Sequence, residues 1–254
     1  MTGLSGARGL VIAAPATGSG KTIVTMGLIA ALRAAGVHVA AAKVGPDYID
    51  TAFLAAAAGE PAVNLDSWAM RSGLLHQLAT ARAAAVDLLL VEGVMGLFDG
   101  GSDGAGSTAD LAKVLGLPVV LVIDASRQAQ SAAALAHGFA TFDERIEVTG
   151  VILNRVAGER HARLLGDAFK AAGSKVIGML PTDQKLDLPS RHLGLVQAGE
   201  NARLFEAVGA AANLVRKHID LEQFAASAGA LESVGATGEK PLPPPGQRIT
   251  IACD

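Results

Sequence analysis

Cysteine is nearly absent from this sequence: Cys253 is the only one in 254 residues. That excludes an internal disulfide and any multi-cysteine zinc site. Aromatic residues are scarce at 4%, too few for the stacking platforms that hold single-stranded nucleic acid. Neither sign of charge is in excess, the formal net charge being −3. So balanced a chain lacks the basic field of a general nucleic-acid binder. Long apolar runs are also missing. The longest, such as residues 117–123, fall far short of the roughly 20 residues of a membrane helix. No leader-like pattern precedes the first apolar segment. The expectation is a cytoplasmic enzyme with no membrane or nucleic-acid partner. The six histidines (His38, His76, His137, His161, His192 and His218) are scattered, and no two have metal-ligand spacing on a helix. Only His192 is flanked by strand-end polar residues.

What is present is an apolar, small-residue chain, 50% hydrophobic, which suits one large α/β domain or a domain with an appendage. The stretch Ala14-Pro15-Ala16-Thr17-Gly18-Ser19-Gly20-Lys21-Thr22 follows an apolar run and precedes a helical segment. Strand, glycine-rich turn, Gly-Lys-Thr and helix is the order of a P-loop. Such a turn closes backbone N–H groups around phosphate oxygens, and the helix N-terminus adds partial positive charge. Thr17, Gly18, Ser19 and Gly20 would form the cradle. Lys21 would reach the β- and γ-phosphates of ATP, and the Thr22 hydroxyl would hold Mg²⁺. Pro15 stands where the strict GxxxxGK[ST] pattern has its first glycine. The competing reading is a glycine-rich turn with an incidental lysine.

The rest of the chain alternates. Strands are expected over 9–14, 37–44, 86–91, 118–123, 149–153 and 176–180, with a shorter apolar segment at 193–196. Helices are expected over 22–35, 51–58, 73–84, 108–115, 128–142, 161–172 and 201–218. Strands joined by helical crossovers predict a doubly wound, mostly parallel α/β sheet of the P-loop NTPase kind. From 225 to 247 the composition turns to Ala, Ser, Gly and then Pro-Leu-Pro-Pro-Pro-Gly, which reads as a linker. Residues 248–252 read as one more strand.

In open α/β sheets, ligands bind at the carboxyl ends of the strands, and three polar clusters lie there. Lys43 ends the second apolar run, followed by Asp47 and Asp50. Glu92 ends the third, in the place of a Walker B acid, with Asp99 in the glycine-rich loop beyond. Asn154 and Pro181 follow two later strands, and the Asn154 amide could pair with adenine. Each has a bland alternative: a solvated lysine with turn-forming aspartates, an Asp-Gly turn, and a turn asparagine.

On these residues the chain resembles the cobyrinic and hydrogenobyrinic acid a,c-diamide synthases, ATP-dependent amidases of corrinoid biosynthesis. The motifs are APATGSGKT (14–22), KVGPDYID (43–50), NLDSW (64–68), VEGVMGLFDG (91–100), GSTADLAK (106–113), GVILNRV (150–156) and RHLGLV (191–196). They span most of 9–196, and KVGPDYID and EGVMGLFDG are the most specific. The wider group includes dethiobiotin synthetase, whose fold the resemblance implies, cobyric acid synthase and the DNA-partitioning ATPases. Partitioning ATPases carry a lysine where this chain has Ala16, which argues against a dimer-switching ATPase.

The implied reaction is amidation of the a and c acetates of a corrinoid through an acyl phosphate, with ATP and Mg²⁺. The resemblance implies that Asp47 and Glu92 complete the metal shell begun by Thr22. It implies that Lys43 offsets charge between γ-phosphate and carboxylate, and that Asp50 and Asp99 orient substrate or ammonia. Family proteins continue into a glutamine amidotransferase domain that supplies ammonia and are often dimers, so a homodimer is open. Three segments are therefore expected: a synthetase domain over 1–224, a linker over 225–247, and the stub of a glutaminase domain, absent from this chain, over 248–254. The rivals are a carboxylate-activating ligase on another tetrapyrrole or a smaller acid, and a nucleotide-switch ATPase.

Overall fold

Every apolar run read as a strand that falls within the described residues forms one, because each is bounded by turn residues and pairs with a neighbouring strand. In the computed structural model, which describes residues 7–183 and 204–231, β1 (Arg8–Ala13) leads through the P-loop into α1 (Lys21–Ala34). There follow β2 (Val39–Val44), α2 (Tyr48–Ala58), β3 (Val63–Leu65), α3 (Ser72–Ala83), β4 (Leu88–Glu92) and α4 (Thr108–Leu115). Next come β5 (Val119–Asp124), α5 (Ser131–Thr141), β6 (Val148–Val156), α6 (Glu159–Ala171) and β7 (Val176–Pro181). The last described elements are α7 (Leu204–His218), α8 (Leu221–Ala226) and β8 (Gly229–Ala230).

The sheet order is β3-β2-β4-β1-β5-β6-β7. These strands all run parallel. Alternate residues of β1 enter opposite layers. Val11 and Ala13 pack with Leu75, Leu111, Ala132 and Phe169 from α3 to α6. Leu10 and Ile12 pack with Leu28, Leu54, Val215 and Phe224 from α1, α2, α7 and α8. Helices thus cover both faces, which is why β4 is buried along its whole length and reads as a continuous apolar run.

Several boundaries differ from the sequence reading, each for a local reason. α2 begins at Tyr48 rather than 51 because the Asp47 carboxylate accepts from the N–H groups of Ile49 and Asp50, a helix N-cap. α5 begins three residues later than expected, after a turn over 126–130. β3 was not anticipated. Its three residues carry no period, and its pairing with β2 makes it a strand. The linker expected from Ala225 begins inside regular structure: α8 runs to Ala226, and β8 pairs antiparallel with Arg8 and Gly9 of β1. His192, the segment at 193–196, the first residues of the helix expected from 201, the remainder of the expected linker, the strand at 248–252 and Cys253 lie outside the described residues.

Candidate functional site

Sheet register builds the centre of the site. β2 and β4 are parallel neighbours with Lys43 paired to Glu92, and β1 lies on the other side of β4 with Ile12 paired to Glu92. Lys43 and Glu92 therefore meet at the carboxyl edge beside the P-loop. Lys43 Nζ donates to Glu92 Oε1 at 2.8 Å and to the Gly93 carbonyl at 3.0 Å. It also lies 2.8 Å from Asp50 Oδ2, on the first turn of α2. Lys43 is 2% exposed and Glu92 0%. Burying such groups is tolerable only when they are paired. Burial works against the Lys43 ammonium, but Glu92 and Asp50 outweigh it and hold its pKa above the ordinary lysine value. Burial raises the pKa of the Glu92 carboxyl.

The P-loop joins this cluster. Thr22 Oγ1 donates to Glu92 Oε1 at 2.7 Å, so one carboxylate oxygen serves both Thr22 and Lys43. Lys21 Nζ donates to the Met95 carbonyl at 2.6 Å. Gly20 precedes α1 with φ 89°, a backbone that favours glycine, and a Cβ there would lie 2.3 Å from Asn154 Nδ2, so the Asn154 amide would have to shift. Burial lowers the pKa of Lys21 to about 8. This fixes a pH dependence. Phosphate oxygens favour the charged ammonium and would raise that pKa on binding, so binding above pH 8 takes up a proton. Nucleotide affinity is therefore expected to be flat below about 7 and to fall up to about tenfold per pH unit above 8. Calorimetry in two buffers of different ionisation enthalpy measures the uptake, and an affinity constant through pH 9 would contradict it.

The far side of the P-loop is held by β6. Asp124 and Asn154 are register partners on β5 and β6. Asn154 Nδ2 donates to the Ser19 carbonyl at 2.9 Å, so the amide expected to read adenine also braces the P-loop. With Pro181 it lines a cavity of about 80 Å³ that includes Gly20 and Leu214. Arg155, which sequence reasoning missed, has a left-handed backbone, φ 58°. Its guanidinium donates to the Gly18 carbonyl at 2.8 Å and pairs with Asp124. Among the described residues the other left-handed non-glycine residue is Met95, φ 48°. Met95 follows the end of β4 and Arg155 lies near the end of β6, and nothing in the sequence signals either conformation. Thr108 was missed too: its hydroxyl accepts from the Val94 N–H and donates to the Val94 carbonyl, pinning the loop after β4.

The remaining expected residues divide. Asp99 is exposed, and its Oδ2 accepts from the Gly96 N–H at 2.9 Å. Asp47 caps α2, with Oδ1 at 3.1 Å from each N–H. Thr17 and Gly18 are exposed on the P-loop crest, and Ser19 Oγ donates to the Ala16 carbonyl at 2.8 Å. Thr22, Lys43, Asp50 and Glu92 are in one bonded cluster. Asp47 and Asp99 are bonded to their own turns.

The donor set fits Mg²⁺. Glu92 Oε2 is buried with no hydrogen-bond partner, and Thr22 Oγ1, donating to Oε1, keeps its lone pairs. Among the described residues no group of three or more His, Cys, Asp or Glu forms a closed shell. Mg²⁺ does not need one, since it usually takes one or two protein oxygens together with phosphates and water.

Comparison with known proteins bears on this geometry. The profile of the CobQ/CobB/MinD/ParA nucleotide binding domain matches residues 10–196. A hydrogenobyrinate a,c-diamide synthase of Mesorhizobium japonicum is 48% identical over 251 residues, 98% of this chain and 57% of that protein. A protein of the same name from Rhodobacter capsulatus is 50% identical over 253 residues, 98% of this chain and 58% of that one. The chain thus spans a little over half the length of these curated relatives. Among solved structures, chloroplast FtsY from Physcomitrella patens superposes with a TM-score of 0.54 at 19% identity, covering 89% of this chain and 67% of that one. This similarity concerns the fold.

Proposed function

Because the chain belongs to the CobQ/CobB/MinD/ParA nucleotide-binding family, we propose that it is the ATP-dependent synthetase part of a hydrogenobyrinate-type a,c-diamide synthase. The observation that carries the reading is the buried Lys43–Glu92–Asp50 cluster bonded to Thr22 of the P-loop. A carboxylate must be activated before ammonia can displace an oxygen from it. In the proposed step a substrate carboxylate oxygen attacks the γ-phosphorus of ATP, the bond to the β-γ bridging oxygen breaks, and ADP leaves. Ammonia then attacks the carbonyl carbon of the acyl phosphate, phosphate departs with the bonding electrons, and the nitrogen loses a proton to solvent. Two anions must meet in the first step, so catalysis is mostly positioning and charge neutralisation.

Each residue has a part in that task. Lys21 draws charge from the β- and γ-phosphates. Lys43 would offset charge between the γ-phosphate and the incoming carboxylate, its ammonium kept charged by Glu92 and Asp50. Thr22 and Glu92 would hold Mg²⁺, which would neutralise phosphate charge when bound. Asp47 would join them by releasing its capping bonds. Asp50 and Asp99 would orient substrate or ammonia, and Asn154 with Pro181 would seat adenine. Ammonia would come from free solution or from a glutaminase activity such as a longer protein would carry.

The test is ADP release. With Mg-ATP and ammonia, adding hydrogenobyrinic acid should raise ADP production at least tenfold over the basal rate, with amide formation in step. ATP hydrolysis indifferent to the macrocycle, together with a nucleotide-dependent change in oligomeric state, would instead identify a switch ATPase.

A further inference from the structure

Among the described residues, two cavities that flank the P-loop differ about tenfold in size. The one at Asn154 and Pro181, about 80 Å³, is a slot on the scale of a nucleotide base. The other, about 770 Å³, lies between the P-loop crest, the end of β5 and the α5 helix. Its volume falls in the range of pockets that enclose whole organic ligands, and no step described above uses it. Its floor is apolar, formed by Leu135 and Phe139. Phe139 stacks on Phe98 with ring centroids 5.5 Å apart. Its rim is basic and polar, with Arg127, Gln128 and Arg155. Arg155 is engaged by Asp124 and Gly18. Arg127 is exposed and has no ion-pair partner among the described residues.

This cavity adjoins the charged cluster. Pro15 is one of its walls. A Cβ built on Gly96 would lie 2.6 Å from the Pro15 carbonyl oxygen and 2.4 Å from Asp99 Oδ2. Pro15 and Asp99 are thus neighbours across a single glycine, and Phe98, which backs the apolar floor, precedes Asp99 in the chain. A ligand resting on Leu135 and Phe139 would have its edge near Asp99 and the P-loop.

We propose that this cavity seats the polycarboxylate macrocycle, with the ring face on Leu135 and Phe139 and peripheral carboxylates paired with Arg127. The proposal rests on the corrinoid reading above and adds a location to it. Chemistry and shape agree. A tetrapyrrole-derived ring offers a broad apolar face and an anionic edge, and the cavity offers an apolar floor and a cationic rim. Asp99 and the P-loop then receive one acetate arm while the ring stays outside the nucleotide slot.

The test follows hydrogenobyrinic acid by its visible absorbance as it is titrated into the full 254-residue chain with Mg²⁺ and a non-hydrolysable ATP analogue. Arg127→Glu should weaken macrocycle binding about tenfold or more, by an amount that shrinks as salt is raised. Ser126→Trp, which places a large side chain in the cavity from an exposed position, should weaken it comparably. Both variants should bind a fluorescent ATP analogue within about twofold of the parent chain. Trp68→Ala, an exposed aromatic in the segment after β3, should bind macrocycle as the parent does. Macrocycle binding unchanged in both cavity variants would overturn this location and leave the proposed function standing. Loss only in Trp68→Ala would move the ring to the surface at Trp68, with the same consequence. Parallel loss of nucleotide affinity in the cavity variants would assign the cavity to the nucleotide and overturn the proposal. No binding to the parent chain would remove the proposed function, and this inference with it.

Discussion

Replacing Lys43 by methionine should destabilise the protein by about 3–5 kcal/mol, the range for stranding a buried charge by removing its partner. Glu92 and Asp50, both buried, would lose the ammonium that sits 2.8 Å from each. The size of the effect comes from the desolvated carboxylates left behind, and only secondarily from the lost attraction. The pH dependence should steepen accordingly. Burial already raises the folded-state pKa of the Glu92 carboxyl, and without Lys43 it rises further above the unfolded value. That contribution is fully present at acid pH and lost as pH rises, so Lys43→Met should be relatively more stable at pH 5 than at pH 8. Adding Glu92→Gln in the same chain should recover much of the stability, because a neutral amide can be buried at lower cost, without recovering turnover. Denaturant unfolding at the two pH values measures both effects. A Lys43→Met protein as stable as its parent at pH 8 would mean that the cluster is hydrated rather than buried.

Replacing Lys21 by alanine should leave the fold intact and abolish Mg-ATP-dependent turnover. Lys21 makes one bond to protein, to the Met95 carbonyl, and contributes little to the apolar layers. Its loss from the phosphates removes a charge-assisted hydrogen bond of about 1.5–3 kcal/mol from nucleotide binding, roughly 10- to 150-fold in affinity. Charge developing during phosphoryl transfer adds about 10²- to 10³-fold in rate. The product should exceed 10³ in kcat/KM, with the melting temperature within a few degrees of the parent. The measurements are nucleotide titration, initial rates and thermal unfolding. Turnover equal to the parent's would end the P-loop assignment.

The contrast between these residues and the others bears on what a sequence reveals. Lys43 and Glu92 each end a buried apolar run, so parallel strands bring them to one edge whatever the loops do. The P-loop is legible because its glycines, lysine and threonine lie between a strand and a helix. Arg155 is not legible in this way. It acts on Gly18, 137 positions away, only because its own backbone turns left-handed after Asn154, and no local pattern encodes that for arginine. Asp47 shows the opposite limit. Its type and position suit a metal, yet in the fold its carboxylate caps α2, a use that the following residues would equally have allowed. β3 and β8, at three and two residues, are too short for periodicity. They exist because β2 and β1 offer them partners.

Met95 and Arg155 carry a consequence for anyone trying to improve this protein. Both sit in backbone conformations that disfavour a side chain by roughly 1–2 kcal/mol, in a chain with 30 glycines. Glycine at either position would relieve the strain and, despite its greater freedom when unfolded, raise stability by up to about 1 kcal/mol, less at Arg155 whatever its ion pair with Asp124 contributes. Selection for heat resistance alone would therefore be drawn to these two positions. At Met95 it would free the carbonyl that receives Lys21 to move. At Arg155 it would cut the link between Gly18 and Asp124. Thermal robustness and a rigid phosphate cradle are opposed in this fold, and a screen that scores only the first would erode the second.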